Sequence, residues 1–360
     1  MKRISYSPRL ERQIHQSIKA CELDLTGLTV MTETASGAFV TTSLIAAAAG
    51  ASVLAFTRDS IYGQASEVAA YTAQWAVDMG LERSITILTA SPADHANKVD
   101  VVTNLGFVRP ISAGFIQRLP PHAIISLMYE PWEFRVSDID ITACAAAGIP
   151  IIGTRETDSR LNTFHHVGIL VVKLLLEKDV AIHGSRIVLI GSDPFEPITF
   201  EALTNLGAVV TRADLPKNGG DLDEFYGKAI DKADALVLVE HKDCREIVGR
   251  HGGIRPDRLV KNGVILIHVC GMIDYSALEA GGLDKWPERR VPFGTMTVTT
   301  DYVGPRPVID LHCAGLRVAE SAVRMRLAGK SIPEAVAAAE STGLGLWFDI
   351  EHHMRKTSCE

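Results

Sequence analysis

Residues 184–214 read GSRIVLIGSDPFEPITFEALTNLGAVVTRAD, Gly184 to Asp214. The run Arg186–Ile190 is rich in β-branched and apolar residues, and Gly191 ends it with a turn. A stretch able to form a helix follows, and Ala208–Arg212 repeats the apolar pattern. Strand, turn, helix and strand in that order make a β-α-β unit, which implies a parallel sheet. Further runs extend the pattern on both sides. Leu28–Thr32, Ser52–Phe56, Ser84–Leu88, Val99–Thr103, Ala123–Leu127 and Ile149–Ile152 precede it, and Ala235–Val239 and Val264–Val269 follow. The spacing predicts an α/β chain with two doubly wound parallel sheets. A long helix is predicted over about His165 to Lys178, because Val167, Leu170, Val171, Leu174 and Leu175 recur at helical spacing. The last segment, from about His312, is predicted helical, over Val318–Leu327 and then Ile332–Ala339.

The chain has 360 residues, enough for two domains, with 47% hydrophobic and 22% charged residues. Its formal net charge is −7 and no basic stripe is present, which argues against a nucleic-acid partner. The start, Met1 to Leu25, is polar and charged, unlike a secretory signal. Leu44–Phe56, among the most apolar stretches, is too short to span a bilayer. The six cysteines, at positions 21, 144, 244, 270, 313 and 359, form no CxxC pair. That pattern speaks against a disulfide framework or a structural zinc and fits the cytoplasm. His165 and His166 diverge by about 100° on a helix and make a poor metal pair, so no metal is expected.

Four stretches together resemble the D-2-hydroxyacid dehydrogenase family, which includes formate and glycerate dehydrogenases. They are SDIDITACAAAGIPIIGT (Ser137–Thr154), the β-α-β unit quoted above, the segment from ADALVLVEHKD to LVKNGVILIHVCGMIDYSAL (Ala233–Leu278), and LHCAG (Leu311–Gly315). They stand in the family's order over residues of about 99 to 320. The resemblance implies a flavodoxin-like outer domain of residues 1–158 joined by 312–360, and a Rossmann-like inner domain of residues 159–311. It further implies ligands in a cleft between the domains, an NAD(P) cofactor and a homodimer.

At the nucleotide loop the chain departs from the family's pattern. A G-x-G-x-x-G loop uses its glycines for a tight turn, for backbone approach to the pyrophosphate, and for close packing of helix on strand. Registered without gaps, Gly191 fits the first glycine and Asp214 the acid that binds ribose hydroxyls. The two inner glycines fall on Asp193 and Glu196, with Pro197 next. A like-charge contact at about 4 Å costs about 1 kcal/mol in water and about 4 kcal/mol at an effective dielectric near 20. Two acids here therefore argue against an ordinary dinucleotide site. Alternatively Asp193 caps the helix, a role for which Asp is favoured.

Where the family has its catalytic histidine, this chain has His312, a residue type that trades protons near neutrality. The family's substrate-clamping arginine falls on Val269 or Cys270, and neither holds a carboxylate bidentately. The orienting glutamate has no counterpart in Pro292–Gly304, whose one acid is Asp301. Cys270 is a candidate nucleophile beside His268 on one strand face, or a buried inert thiol. The substrate loop reads MYEPWEFRVSD (Met128–Asp138) in place of a glycine-rich turn. Tyr129, Trp132 and Arg135 are its candidate ligand-facing residues, through stacking and cation–π contact. Arg109 or Arg135 is a candidate substitute for the missing arginine. Three readings stand open. One is a divergent relative that binds or acts on a different small molecule in the cleft, without nicotinamide. Another is an NAD(P)-dependent oxidoreductase using His312 as acid/base. The third is a non-catalytic dimeric scaffold.

Overall fold

A computed structural model of the chain describes residues 4–61, 63–216, 220–351 and 353. The chain divides into two compact units, Met1–Asn162 with Gly304–Glu360, and Thr163–Val303. No helix among the described residues is long and apolar enough to cross a membrane.

Unit 1 opens with α1 (Pro8–Ala20), whose N-cap Ser7 accepts from the Leu10 N–H and whose first position is a proline. Then follow β1 (Thr29–Glu33), α2 (Thr41–Ala48), β2 (Ser52–Phe56), α3 (Ala65–Asp78), β3 (Ile85–Leu88) and β4 (Val101–Thr103). The segment continues through α4 (Ala113–Ile116), β5 (Ile124–Ser126), α5 (Ile141–Ala147) and β6 (Ile151–Thr154). Unit 2 comprises α6 (His165–Glu177), β7 (Arg186–Gly191), α7 (Phe195–Asn205), β8 (Val209–Arg212), α8 (Leu222–Ile230), β9 (Ala235–Val239) and β10 (Glu246–Val248). It is completed by α9 (Pro256–Asn262), β11 (Ile265–Cys270), β12 (Met272–Ile273), α10 (Tyr275–Gly281) and β13 (Lys285–Trp286). The chain then returns to unit 1 with α11 (Arg306–Leu327), α12 (Ile332–Ser341) and β14 (Gly345–Trp347).

Both doubly wound parallel sheets expected from the sequence are present. In unit 1 the order is β14-β6-β5-β4-β1-β2-β3, with only β14 antiparallel. Its six parallel strands thus run 3-2-1-4-5-6, and β1 is the strand at which the winding reverses. In unit 2 the order β13-β11-β9-β7-β8 is all parallel and corresponds to 2-1-3-4-5 within that unit, reversing at β7. The central strands are largely apolar because helices cover both faces of each sheet, whereas the edge strand β8 is mostly exposed. In unit 1, Val30, Val53, Val101, Ile124 and Ile152 face α1, α2, α11 and α12. Met31, Val102, Ile125 and Ile151 face α4 and α5. In unit 2, Ile187, Leu189, Val237 and Ile267 join the core of α6 and α7. Val188, Ile190, Leu236 and Leu266 join Leu222, Leu259 and Leu278 of α8, α9 and α10.

One element differs in its bounds with a consequence for chemistry. The last long helix begins at Arg306 with Pro307 in its first turn, ahead of the expected start near His312. His312 therefore lies inside the helix rather than at its mouth.

Candidate functional site

In open α/β sheets, ligands sit outside the carboxyl ends of the strands, at the point where the winding reverses. Each unit has one such edge.

In unit 2 this edge holds the predicted nucleotide loop. Gly191 ends β7, and a Cβ there would lie 2.5 Å from Val239 Cγ2 and 3.1 Å from Glu196 Cβ. Glycine is thus required at 191 for close packing of strand, neighbour and helix. Asp193 is exposed and does not cap α7, since the N-cap position is Pro194 and no side chain caps it. Glu196 is buried, and its carboxylate is held by the Arg212 guanidinium through two bonds, Nε–Oε1 at 2.6 Å and Nη2–Oε2 at 2.5 Å. The negative charge expected to face a pyrophosphate is therefore committed to a protein cation at the end of β8. Asp214 is exposed, and its backbone carbonyl accepts the Tyr226 hydroxyl. Next to Gly191, the Ser192 hydroxyl donates to Glu240 at 2.8 Å and lies 3.2 Å from His241 Nδ1. Glu240 also accepts the N–H groups of Lys242 and Asp243.

These residues do not fit the dinucleotide that the fold implies. A helix N-terminus binds phosphate through its free N–H groups. Here Pro194 and Pro197 have none, and the Glu196 N–H is bonded to Ser192 O at 3.0 Å. No bare glycine backbone follows Gly191, and acids stand at 193, 196 and 240.

Cys270 and His268 end the same sheet. Cys270 is buried, and burial together with the nearby Glu240 carboxylate raises its thiol pKa, so the thiolate is disfavoured. His268 is buried too, its Nε2 lies 2.9 Å from Gly271 O, and burial lowers its pKa to about 4. Strand register shifts between the two residues.

His312 belongs to unit 1. It is buried within α11, with Nδ1 2.6 Å from the Thr42 hydroxyl and its ring 5.6 Å from that of Phe39. Burial lowers its pKa to about 3. An imidazole in that state stays neutral at physiological pH and does not exchange protons readily there.

The carboxyl edge of unit 1 gathers polar groups, of which sequence reasoning named Arg109 and Tyr129 and passed over Glu33 and Asn104. Glu33 is the last residue of β1, and burial raises its carboxyl pKa to about 7, against the opposing effects of the Phe107 N–H and the Arg109 guanidinium. Its Oε2 accepts the Phe107 N–H at 3.0 Å. Gly106 lets the backbone close over it, since a Cβ there would lie 3.1 Å from that oxygen. Asn104, just after β4, accepts the Met128 N–H on Oδ1 at 2.8 Å. Arg109 pairs with Asp138 at 2.7 Å, and the Tyr129 hydroxyl donates weakly to the same carboxylate at 3.5 Å. Burial raises the Tyr129 pKa.

The predicted substrate loop is built around acids. Glu130 and Glu133 form a capping box on the turn Pro131–Glu133. Glu130 accepts the Glu156 N–H at 3.0 Å and the Trp132 indole N–H at 2.8 Å. Burial raises the pKa of both Glu133 and Glu156, and the proximity of each to the other raises Glu156 further. Trp132 and Arg135 are exposed, and Tyr129 is half-buried. The structure thus brings Tyr129, Arg109 and Asp138 together and leaves Arg135 outside that network.

An acid closing an apolar strand, as in TVMTE, was the available signal for Glu33. Its weight depends on strand order, because only that order places β1 at the reversal.

No protein-family model matches the chain, and no curated protein matches it in sequence. Solved structures match it in fold. A dipicolinate synthase chain from Bacillus subtilis is 11% identical with a TM-score of 0.52, covering 85% of this chain and 99% of that one. Its counterpart from Bacillus halodurans is 11% identical at a TM-score of 0.49, covering 84% and 98%. NAD-dependent formate dehydrogenase from Staphylococcus aureus, solved with NAD, is 10% identical at 0.43, covering 84% and 96%. The doubly wound α/β fold expected from the sequence is found, and the chain shares the fold of the Bacillus subtilis dipicolinate synthase chain.

Proposed function

We propose that this chain is a divergent relative of the D-2-hydroxyacid dehydrogenases that binds or acts on a small molecule without ordinary NAD(P) chemistry. The observation that carries this reading is the turn after β7. Its two prolines remove phosphate-binding N–H groups, and its buried glutamate is locked to Arg212. Ligand contact is assigned to unit 1, to Arg109 and the loop bearing Tyr129, Trp132 and Arg135. His312 and Cys270 enter this reading as buried side chains held neutral by their surroundings. A homodimer in the cytoplasm, without nucleic-acid or membrane partners, is part of the same proposal.

The test is titration of the purified chain with NADH and NADPH, followed by nucleotide fluorescence. Neither is expected to bind more tightly than about 1 mM, roughly −4 kcal/mol. Micromolar binding of either would reverse the reading in favour of an NAD(P)-dependent oxidoreductase. Mass spectrometry of the denatured protein would then seek a ligand carried through purification, whose absence favours a scaffold.

A further inference from the structure

Among the described residues, Cys244 is exposed and Cys21, Cys144, Cys270 and Cys313 are buried free thiols. Burial holds Cys144 and Cys270 in the protonated form, with the pKa of Cys144 raised to about 12. Cys21 and Cys313 differ from them, because they are buried against each other. Cys21 is the C-cap of α1, Cys313 lies within α11, and both belong to one apolar core of unit 1. The Cys313 thiol donates a hydrogen bond to the Cys21 sulfur.

Helix packing builds this contact in. One turn earlier on each helix, the Ser17 hydroxyl donates to Asp310, which also accepts from Arg306 at 3.1 Å. Cys21 stands four residues beyond Ser17 and Cys313 three beyond Asp310, so each thiol shares a helix face with one member of that pair. Cys21 is 4% exposed and Cys313 is 0% exposed, so a small solute reaches Cys21 first. The bond from Cys313 lowers the Cys21 pKa against the effect of burial, the Arg160 guanidinium lowers it further, and Asp310 and Asp158 oppose. That same bond, with burial, raises the Cys313 pKa and keeps its proton on. A thiolate favoured by a donor and a cation is the nucleophilic form of cysteine, and the second thiol stands in contact with it.

We infer that Cys21 and Cys313 are a peroxide-oxidised thiol pair that closes to a reversible disulfide between α1 and α11. The Cys21 thiolate attacks a hydroperoxide, so that an S–O bond forms as the O–O bond breaks, and the departing oxygen takes up a proton. The Cys313 sulfur then attacks the Cys21 sulfenic acid. An S–S bond forms as the S–O bond breaks, and the hydroxide leaves as water with the Cys313 proton. The two electrons lost by the thiols reduce the peroxide. Thiols already in hydrogen-bond contact need little movement to reach bonding distance. Such a bond, made from thiols that are free in the resting fold, is of the redox-sensing rather than the structural kind. It stands apart from ligand binding and from nicotinamide.

The test treats the folded full chain with hydrogen peroxide and maps its cysteines over time by peptide mass spectrometry without reductant. Wild type is expected to yield a Cys21–Cys313 cross-linked peptide that dithiothreitol removes. That pair is expected to react about tenfold or more faster than Cys144 and Cys270, which burial holds as thiols. In Cys313→Ser, oxidation of Cys21 is expected to stop at the sulfenic acid, trapped by dimedone, and Cys21→Ser is expected to give neither product. Wild type in which Cys244 is oxidised while Cys21 and Cys313 stay reduced would overturn the inference. So would equal rates at all four buried cysteines, which would mean that oxidation follows unfolding.

Discussion

The two carboxyl edges obey one topological rule and end in opposite states. In unit 2 the two buried carboxylates at the edge are answered by protein. Glu196 takes both branches of Arg212, and Glu240 takes the Ser192 hydroxyl and two backbone N–H groups. In unit 1, Glu33 has one bond, and Glu156 sits near Glu133 with its pKa raised. A satisfied buried network stiffens a fold, whereas an unsatisfied one costs stability and persists where it serves something else. The contrast shifts attention from the unit expected to hold a nucleotide to the other one. Fold likeness alone would have pointed the other way, since a fold does not fix where its chemistry is done.

The largest expected effect is on acid stability, and it tests whether unit 1 carries the groups held in unfavourable charge states. His312 has a folded pKa of about 3 against an ordinary 6.5. The folded state therefore binds fewer protons than the unfolded chain between those values. The stability linked to His312 is full above about pH 6.5 and is lost as pH falls towards 3, by up to about 5 kcal/mol. His312→Asn keeps a polar group towards Thr42 and should flatten the acid limb of a urea-midpoint profile. An unchanged limb would mean that other groups, His268 of unit 2 among them, govern acid unfolding.

Glu33 should act in the reverse sense. Its folded pKa of about 7 exceeds the ordinary 4.5, so the folded state holds the proton more tightly. Its contribution is full below about pH 4.5 and is lost as pH rises to about 7, by about 3 kcal/mol. Glu33→Gln should accordingly gain on wild type as the pH is raised through this range, read from the same midpoints. Equal profiles for the two proteins would mean that the carboxyl is solvated in solution, and the contrast between the edges would shrink.

The sequence made the sheets legible because their signal is local. Ser52–Phe56 and Ala235–Val239 have the bounds expected of them, since apolar β-branched runs between helices leave few alternatives. The fold of the nucleotide loop was legible as well, through Gly191. The fate of its charge was not, because Arg212 lies sixteen residues beyond Glu196 and joins it only through the pairing of β7 with β8. His312 stood out as a residue type, but its burial depends on a helix starting at Arg306 and packing on α2. Glu33 ends β1 and Asn104 follows β4, and only the non-local pairing of those strands sets them on one edge.

The smallest expected effect concerns turning the closed edge into an open one. Asp193→Gly with Glu196→Gly removes an exposed acid and releases the Arg212 guanidinium to meet a phosphate. Charge and bulk then favour NADH, and the loop regains the glycines of a pyrophosphate turn. The two prolines remain, however, and with them the missing N–H groups at 194 and 197. A gain of about tenfold in NADH affinity is therefore expected, about 1.4 kcal/mol, from beyond 1 mM into the range of about 100 μM. Nucleotide fluorescence reads it directly. A gain of a thousandfold or so would show that the acids alone kept the edge closed. No gain would place the exclusion in the proline backbone, and replacing Pro194 and Pro197 in the double variant should then bring it about.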